Sequence, residues 1–353
     1  MRRRDRRVAL LALLSCAGTL VAVELGLRLA SGTPFAPPDP GGGISMLGGG
    51  YPGMHDPLLG FVPQPGRADD NVWGATVTIA ADGLRSNGPG PPPRGAPILA
   101  AGDSFTFGDE VSDHETWPAR LEKRLGRPVL NGGVFGYGLD QIVLRAEQLL
   151  ERTGANSLVV SFTADDVQRC EYAYRYAWKP WFAVEDGALA LRGVPVPVPG
   201  AAPGGEPWWR RALRRSFLAD LLMRRLDPDR WLLPDSVRVH RQGVSVGRLL
   251  IDRLAAAAAE RGHRLLLVVQ WHPLADTAPS APLIRRARER DLALLDLEPL
   301  LRREIAAHPH GAEGLFRVEH APGGVVAVGH LTPAGNDVVA GAIAAALAQR
   351  PVP

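Results

Sequence analysis

The sequence predicts an α/β fold in which a parallel sheet is covered by helices on both faces. From residue 97 onward, short apolar runs alternate with helical segments, and strands bounded by helices at this rhythm favour a parallel sheet. The chain has 353 residues, of which 46% are hydrophobic and 22% charged, so it is long enough for one large globular domain or two small ones. In such a sheet, ligands bind at the carboxyl ends of the strands.

The N-terminus has the pattern of an export signal that stays in place as an anchor. Five arginines around one aspartate precede about 16 mostly apolar residues, from Val8 to Val23. The segment LGLRLA after Glu24 extends the apolar length toward a membrane span, so residues 1–30 are predicted to be an uncleaved transmembrane signal anchor. The positive-inside rule keeps the arginines in the cytoplasm. This predicts a single-pass protein of the bacterial inner membrane whose main domain is periplasmic.

Composition divides the rest of the chain. Residues 31–50 are rich in Pro and Gly and are predicted to be a linker. The folded domain is predicted to cover residues 51–350, with the first ordered residue near Tyr51. Between residues 171 and 235 the alternation of strands and helices fails and Trp and Pro are dense, which predicts an insertion or lid.

Each predicted element has a local signal. Before the sheet, alternation through Val77 and Ile79 up to the turn at Asp82 indicates a short β element. Five strands are predicted from the apolar runs at 97–101, 128–133, 157–162, 264–271 and 292–297. Three helices are predicted at 116–125, 139–152 and 249–262. Thr116 is the predicted N-cap of the first of these helices.

Charge and cysteine content exclude several classes of function. The formal net charge is +3 and the arginines are spread along the chain, so nucleic-acid binding has no support. The two cysteines, Cys16 and Cys170, have no metal-ligand spacing, so neither a zinc site nor a disulfide framework is predicted. His308, His310 and His320 lie in one loop-rich stretch, but at no standard ligand spacing. No metal and no cofactor are predicted.

One serine follows a predicted strand directly. In ILAAGDSFTFGDE, which begins at Ile98, the apolar run ends at Gly102 and Asp103, and Ser104 precedes a predicted helix. Its hydroxyl would lie at the carboxyl edge of the sheet, near backbone N–H groups that have no intrahelical partner. Such a serine is placed for nucleophilic attack if a base reaches it. A serine is also a favoured helix N-cap, and these residues alone leave both interpretations open.

Four stretches resemble, in order, the motif blocks of the SGNH/GDSL hydrolase superfamily. They are GDSFTFGDEVSDHETWPARLE from Gly102, NGGVFGYGLDQ from Asn131, VVSFTADDVQR from Val159 and GHLTPAGNDVVA from Gly329. The resemblance covers residues 51–347, and the segments DPLLGF and DGLR look like those of membrane-anchored bacterial members. It implies a three-layer, flavodoxin-like α/β fold.

The resemblance also implies roles for individual residues. Ser104 matches the nucleophile of the family, and His330 matches the histidine that acts as its general base. The oxyanion hole would be formed by the backbone N–H groups of Ser104 and Gly136 together with a side chain at Asp165. Asp103 would brace the turn.

Two positions depart from the family pattern. Asp165 stands where the family has an asparagine, and an ionised aspartate has no donor for an oxyanion, so this residue either works as a protonated acid or fails. Ala327 stands where the family has the acid that orients the histidine. A backbone carbonyl, Glu319 or Asp337 could replace that acid.

The sequence therefore predicts two alternative functions. The first is a serine esterase or O-acyltransferase that acts on an acylated carbohydrate or another small ester. Hydrolysis and transfer share one acyl-enzyme, and the sequence does not separate them. The second is an SGNH-fold binding or assembly protein whose catalytic site is impaired, as Asp165 and Ala327 suggest.

Three further features have two interpretations each. His272 ends a predicted strand and either lines the pocket or has a structural role. The basic amphipathic segment after Trp208 and Trp209 either contacts a membrane or an acidic glycan, or packs as a lid helix. The aromatic stretch YAYRYAWKPWF from Tyr172 either stacks on sugar rings or packs in a core or lid.

Overall fold

Five parallel strands form the central sheet of the computed structural model, which describes residues 3–31, 46–47, 51–198, 209, 213, 215–226, 236–321 and 324–349. In chain order they are β5 (Ile98–Ala101), β6 (Val129–Asn131), β7 (Ser157–Phe162), β13 (Arg264–Val269) and β14 (Ala293–Asp296). Their order in the sheet is β6-β5-β7-β13-β14, and every neighbouring pair is parallel. Numbered along the chain this is the 2-1-3-4-5 order of flavodoxin-like folds, so the predicted fold class is confirmed.

Helices cover both faces of this sheet. One face packs against α4 (Leu139–Thr153), α7 (Gly243–Glu260) and α8 (Ala281–Glu289). The other packs against α3 (Trp117–Leu125), α9 (Glu298–Ala307) and α10 (Pro333–Gln349). Because side chains alternate along a strand, Leu99 and Val160 lie in the first core whereas Ala100 and Val159 lie in the second. All four are buried, which explains why these strands are apolar without alternation.

Several shorter elements surround the sheet and its covering helices. The helices are α2 (Ser104–Phe107) and α5 (Ala164–Arg169), with single 3₁₀ turns at Asp113–Glu115 and Gly311–Gly314. The first strands pair as the hairpins β1 (Gly53–Asp56) with β2 (Gly60–Pro63) and β3 (Ala68–Val72) with β4 (Ala75–Thr78). A last hairpin, β15 (Phe316–Ala321) with β16 (Gly324–Leu331), precedes α10. The predicted Thr116 cap is present, since its side chain accepts a hydrogen bond from the Ala119 N–H.

One residue of the predicted linker packs in the core. Met46, inside the predicted linker, is buried in the core, so ordered packing starts before Tyr51. The reason is a tertiary contact: the Met46 side chain lies against Gly136, where a Cβ atom would meet the Met46 Cε at 2.7 Å. The other linker residues, 32–45 and 48–50, lie outside the described residues.

The chain divides into two compact units, one of residues 1–44 and 201–236 and the other of residues 45–200 and 237–353. The first contains α1 (Arg3–Ser31) and α6 (Phe217–Leu226). Glu24 of α1 caps α6, because its carboxylate accepts hydrogen bonds from the N–H groups of Phe217 (2.7 Å) and Leu218 (2.8 Å). Within the described ranges, α1 included, no helix has both the length and the hydropathy required to cross a bilayer.

The first part of the predicted insertion consists of antiparallel strands. They are β8 (Tyr172–Arg175), β9 (Ala177–Trp178), β10 (Trp181–Glu185) and β11 (Ala188–Arg192). After the predicted insertion, β12 (Val237–Arg238) pairs antiparallel with β8. Tyr172 and Phe182 are buried, so core packing accounts for these two members of the aromatic stretch. Trp208 lies outside the described residues, and Trp209 is exposed.

A buried ion pair fastens this region to α4. Lys179 donates hydrogen bonds to Asp140 Oδ2 (2.5 Å) and to two backbone carbonyls, and both side chains are almost fully buried. We expect Lys179→Met to lower the free energy of unfolding by about 3–5 kcal/mol, because the Asp140 carboxylate would stay buried without a counter-charge. Arg192→Met is the control, since the Arg192–Glu185 pair is exposed and should contribute about 0–1 kcal/mol. Equal effects in urea denaturation would contradict this prediction.

Candidate active site

Ser104 begins α2 directly after strand β5. The preceding Asp103 is the N-cap, and its Oδ1 accepts a hydrogen bond from the Phe105 N–H at 3.0 Å, so it braces the turn. A side chain at Gly102 would meet the Ser161 carbonyl oxygen at 2.7 Å, and therefore only glycine allows the chain to turn this close to β7. The Ser104 side chain is thus held at the carboxyl edge of the sheet.

His330 reaches the serine from the last hairpin. It lies on β16, three residues before the start of α10 at Pro333. Its Nε2 atom is 2.8 Å from Ser104 Oγ, although the two residues are 226 positions apart in the chain. With the imidazole proton on Nδ1, Nε2 accepts a hydrogen bond from the serine hydroxyl. This is the nucleophile and base geometry that general-base catalysis requires.

Glu110 occupies the other side of the imidazole. Its Oε2 atom is 3.3 Å from His330 Nδ1 and accepts a second hydrogen bond, also at 3.3 Å, from the His330 backbone N–H. The Nδ1–H of His330 therefore points at a carboxylate, which fixes the tautomer that leaves Nε2 free to accept a proton. Ser104, His330 and Glu110 form a continuous hydrogen-bonded chain.

The orienting acid is thus six residues after the serine, at a position that the sequence analysis did not predict. Of the replacements predicted for the missing acid at Ala327, Asp337 is excluded because it pairs with Arg124 at 2.6 Å on the surface. The side chains of Glu319 and Ala327 lie outside the described residues. Glu110 is the last residue of the stretch GDSFTFGDE, and the two acidic residues at the end of that stretch were the one sequence signal for an acid near Ser104.

Glu110 adopts a backbone conformation that is unusual for a residue with a side chain. Its φ is 67°, in the left-handed region. Such residues persist only where their surroundings hold them, and they are concentrated at functional sites. Here the holding group is the guanidinium of Arg85, and Arg317 adds a hydrogen bond of 3.2 Å to the Glu110 carbonyl.

Arg85 is buried beneath the turn that carries Glu110. It donates hydrogen bonds to the carbonyl oxygens of Phe107 (2.8 Å), Gly108 and Val111 (2.6 Å). It also pairs with Asp113 at 3.3 Å. A single side chain therefore satisfies the backbone on both sides of residues 109 and 110, and this gives the DGLR segment a structural role.

Replacing Arg85 should damage both stability and the site. We expect Arg85→Met to lower the free energy of unfolding by about 3–5 kcal/mol, because it leaves Asp113 and several buried carbonyls without partners. The activity of any folded protein should fall as well, since Glu110 loses its support. Arg67→Met is the control, because Arg67 and its partner Asp69 are about one-third exposed. Chemical denaturation of both variants checks this, and an unchanged midpoint for Arg85→Met would refute it.

A second carboxylate, Asp109, lies beside the serine. It is 1% exposed, and its Oδ2 atom is 3.9 Å from His330 Nε2 and accepts a hydrogen bond of 3.4 Å from the Tyr51 hydroxyl. Burial raises the pKa of Asp109 to about 7, although the positive charges of His330 and Arg85 oppose this. The site therefore contains two acids with different environments.

These acids change the basicity of the histidine. Burial alone would lower the pKa of His330, but the hydrogen bond to Glu110 and the charges of Asp109, Glu110 and Asp103 raise it above its usual value. The same hydrogen bond lowers the pKa of Glu110. The Glu110 carboxyl is therefore ionised at the pH at which most enzymes work, and it is the charged partner of the imidazole.

Two of the predicted oxyanion donors are backbone groups. Ser104 is the first residue of α2, so its N–H has no intrahelical acceptor. Gly136 has a φ of 70°, and its N–H makes no hydrogen bond to any residue that the structure describes. A Cβ atom at Gly136 would also approach Tyr176 Cδ2 to 3.4 Å. Glycine is therefore required at this position for both conformation and space.

Asp165, the third predicted contributor, is half-buried in the first turn of α5, directly after strand β7. Its neighbour Asp166 is the structural residue of this turn. The Asp166 carboxylate accepts a hydrogen bond from the Thr163 N–H (2.7 Å) and pairs with Arg169 at 2.5 Å. Burial and the charge of Asp103 raise the pKa of Asp166. The two adjacent aspartates therefore have separate environments, and only Asp165 is open toward solvent.

His272 lies near the site. Its ring stacks on Phe105 with 6.4 Å between centroids, and Phe105 also contacts the His330 ring at 5.2 Å. Burial lowers the pKa of His272, which favours the neutral imidazole. A cavity of about 270 Å³ is lined by Ala164, Gln270 and Trp271 at the carboxyl ends of β7 and β13, and His272 is not among its lining residues. Ser104 and His330 do not line this cavity.

The other histidines form no site in the described ranges. The rings of His308 and His310 are 5.8 Å apart, and the side chain of His320 lies outside the described residues. Among the residues that the structure describes, no three His, Cys, Asp or Glu side chains are grouped so as to hold a metal ion.

Comparisons with known proteins gave structural matches only. No family model and no curated protein matches the chain. Similar solved structures include a G-D-S-L family protein from Desulfitobacterium hafniense (13% identity, 72% of this chain and 100% of that chain, TM-score 0.41). Others are a member of the lipolytic protein G-D-S-L family from Veillonella parvula (10%, 72% and 100%, 0.41) and a lipase/acylhydrolase from Enterococcus faecalis (14%, 72% and 97%, 0.37).

The first two of these proteins carry the family name that the sequence motifs suggested. An identity of 13% and a TM-score of 0.41 do not by themselves establish a shared activity.

Proposed function

We propose that this protein is a serine hydrolase of SGNH/GDSL type that cleaves ester bonds. The observation that carries the proposal is the hydrogen-bonded chain from Ser104 Oγ to His330 Nε2 (2.8 Å) and from His330 Nδ1 to Glu110 (3.3 Å). A nucleophile, a base and an orienting acid in this order activate a hydroxyl for acyl transfer. An N-cap role alone would require neither His330 nor Glu110.

The reaction proceeds in two halves. Ser104 Oγ forms a bond to the ester carbonyl carbon while its proton moves to His330 Nε2. The tetrahedral intermediate then expels the alcohol, which takes that proton from Nε2, and the acyl group stays on Ser104. Water or an acceptor hydroxyl next attacks the acyl carbon and gives its proton to Nε2, and collapse returns that proton to Ser104.

Charge on the carbonyl oxygen is met by backbone donors in this proposal. The N–H groups of Ser104 and Gly136 are the candidates, because neither has an acceptor elsewhere in the described chain. Asp165 contributes only when it is protonated, since the ionised carboxylate has no hydrogen to donate. We therefore assign the oxyanion to the two backbone groups.

We also propose a substrate class and a location for the protein. An acylated carbohydrate or other small ester outside the cytoplasm is consistent with the N-terminal arginines and the apolar run that follows them. In this proposal the N-terminal helix holds the chain at the inner membrane and the hydrolase domain is periplasmic. Fractionation of cells that produce the full chain tests this location, and recovery in the cytoplasm would refute it.

A fluorophosphonate probe tests the proposed chemistry. We expect the full-length protein to be labelled covalently, with labelling that increases as His330 loses its proton between pH 5 and 9. Ser86→Ala, which removes a half-exposed serine whose hydroxyl donates to the Gly88 carbonyl at 3.3 Å, should label normally. A folded protein that stays unlabelled at every pH, beside a serine esterase that labels, would favour the binding or assembly protein instead.

A further inference from the structure

Two carboxylates lie on opposite sides of the His330 ring. Glu110 contacts Nδ1 at 3.3 Å, and Asp109 Oδ2 is 3.9 Å from Nε2, the atom that also holds the Ser104 hydroxyl. The two acids are consecutive residues in a turn fixed by Arg85. The proposed mechanism uses only Glu110 and leaves Asp109 without a task.

Asp109 is also poorly explained as a structural residue. Its Oδ1 atom is buried and has no hydrogen-bond partner among the described residues, and its contact with the Tyr51 hydroxyl is long, at 3.4 Å. Burying a carboxylate with so few partners is unfavourable for stability. At 1% exposure it offers almost no surface to a substrate. Its Oδ2 atom lies 3.9 Å from Nε2 of the His330 imidazole, with which it pairs when the ring is protonated.

We propose that Asp109 is a positioning residue that acts through His330, as a second counter-charge for the imidazolium formed when Ser104 gives up its proton. This inference rests on the proposed function, since it assigns Asp109 a part in the same proton transfer. The positive charge on the ring then lies between Glu110 on one side and ionised Asp109 on the other. When Asp109 takes up a proton, one of these two charges is lost and His330 becomes a weaker base.

The surroundings support this coupling. The charged and titratable groups that face the two residues come from five parts of the fold: Tyr51 before β1, Arg85 before β5, Asp103 at the start of α2, Glu110 in the following turn, and His272 after β13. Burial raises the pKa of Asp109 to about 7, in the range where a histidine titrates. The two groups should therefore titrate as a coupled pair with shared macroscopic steps.

Titration of the His330 ring by NMR tests the proposal without requiring activity. Histidine-labelled full-length protein would be titrated as wild type and as Asp109→Asn, with the His330 signal identified by its loss in His330→Ala. Removing a negative charge disfavours the imidazolium, so we expect the His330 midpoint to fall by about 1–3 pH units in Asp109→Asn. The acid limb of kcat/KM for 4-nitrophenyl acetate should move to lower pH by the same amount.

Two further variants keep the test decisive. Tyr51→Phe removes the hydrogen bond to Asp109, so it should shift the midpoint in the same direction by a smaller amount, and it serves if Asp109→Asn does not fold. Asp82→Asn makes the same charge change in an exposed turn and should leave the midpoint unchanged. An unchanged His330 midpoint in folded Asp109→Asn would overturn the role of Asp109 even if esters are hydrolysed. A shifted midpoint without hydrolysis would overturn only the proposed function.

Discussion

Replacing Ser104 or His330 with alanine is expected to abolish fluorophosphonate labelling and to lower kcat for ester hydrolysis by a factor on the order of 10⁶. Each residue is one end of the same 2.8 Å hydrogen bond, and neither can transfer the proton without the other. The two losses should therefore be similar, and the double variant should be no slower than either single variant. Such non-additivity is the property of residues that act as a unit.

The measurement is hydrolysis of 4-nitrophenyl acetate by the full-length protein, with circular dichroism to show that each variant is folded. The hydrolysis rate of the double variant is the background against which the single variants are compared. If Ser104→Ala kept most of the wild-type rate, the nucleophile would be another group. If the two effects added up, Ser104 and His330 would act independently and the proposed proton transfer would be wrong.

The second large effect is expected at Glu110. Glu110→Gln keeps the shape of the side chain but removes the charge and allows the wrong histidine tautomer, so kcat should fall by about 10⁴. The pKa of His330 should also decrease, since the hydrogen bond to Glu110 helps to raise it. The acid limb of the pH–rate profile should therefore move to lower pH while the maximal rate drops.

Asp337→Asn is the matched control for Glu110. Asp337 is the surface carboxylate seven residues after His330 in the chain, and it pairs with Arg124. Its replacement should leave kcat within about twofold of wild type, because an exposed ion pair contributes little. A large loss in Asp337→Asn together with a small one in Glu110→Gln would reverse the assignment of the orienting acid.

Local sequence signals were reliable where one segment determines its own conformation. Neighbouring residues were enough to predict the Thr116 cap, the apolar strand that ends before Gly102, and the turn at Gly102 itself. Each of these features is present in the structure. The motif blocks also selected Ser104 and His330, which the fold brings into contact. The cap and the turn depend on interactions within one turn of the chain. Ser104 and His330 were found from the order of the motif blocks that resemble a known family.

The partner of His330 could not be read in this way. Nothing in the spacing relates Glu110 to a histidine 220 residues later, and the family pattern directed attention to Ala327 instead. The contact exists because Arg85, which is distant from both residues in the sequence, holds the turn after α2. In that turn Glu110 has a left-handed backbone conformation. Met46 is a similar case, since its neighbours are linker-like while its side chain is buried in the core.

The sequence by itself determined the parallel α/β sheet and the position of the serine at its carboxyl edge, because periodicity and caps are local properties. His330 was indicated only by the resemblance of the ordered motif blocks to a known family. Only the tertiary structure decided which acid orients that histidine and that a second one, Asp109, lies on its other side. Such contacts depend on distances between remote segments, and on burial that changes which groups hold a charge.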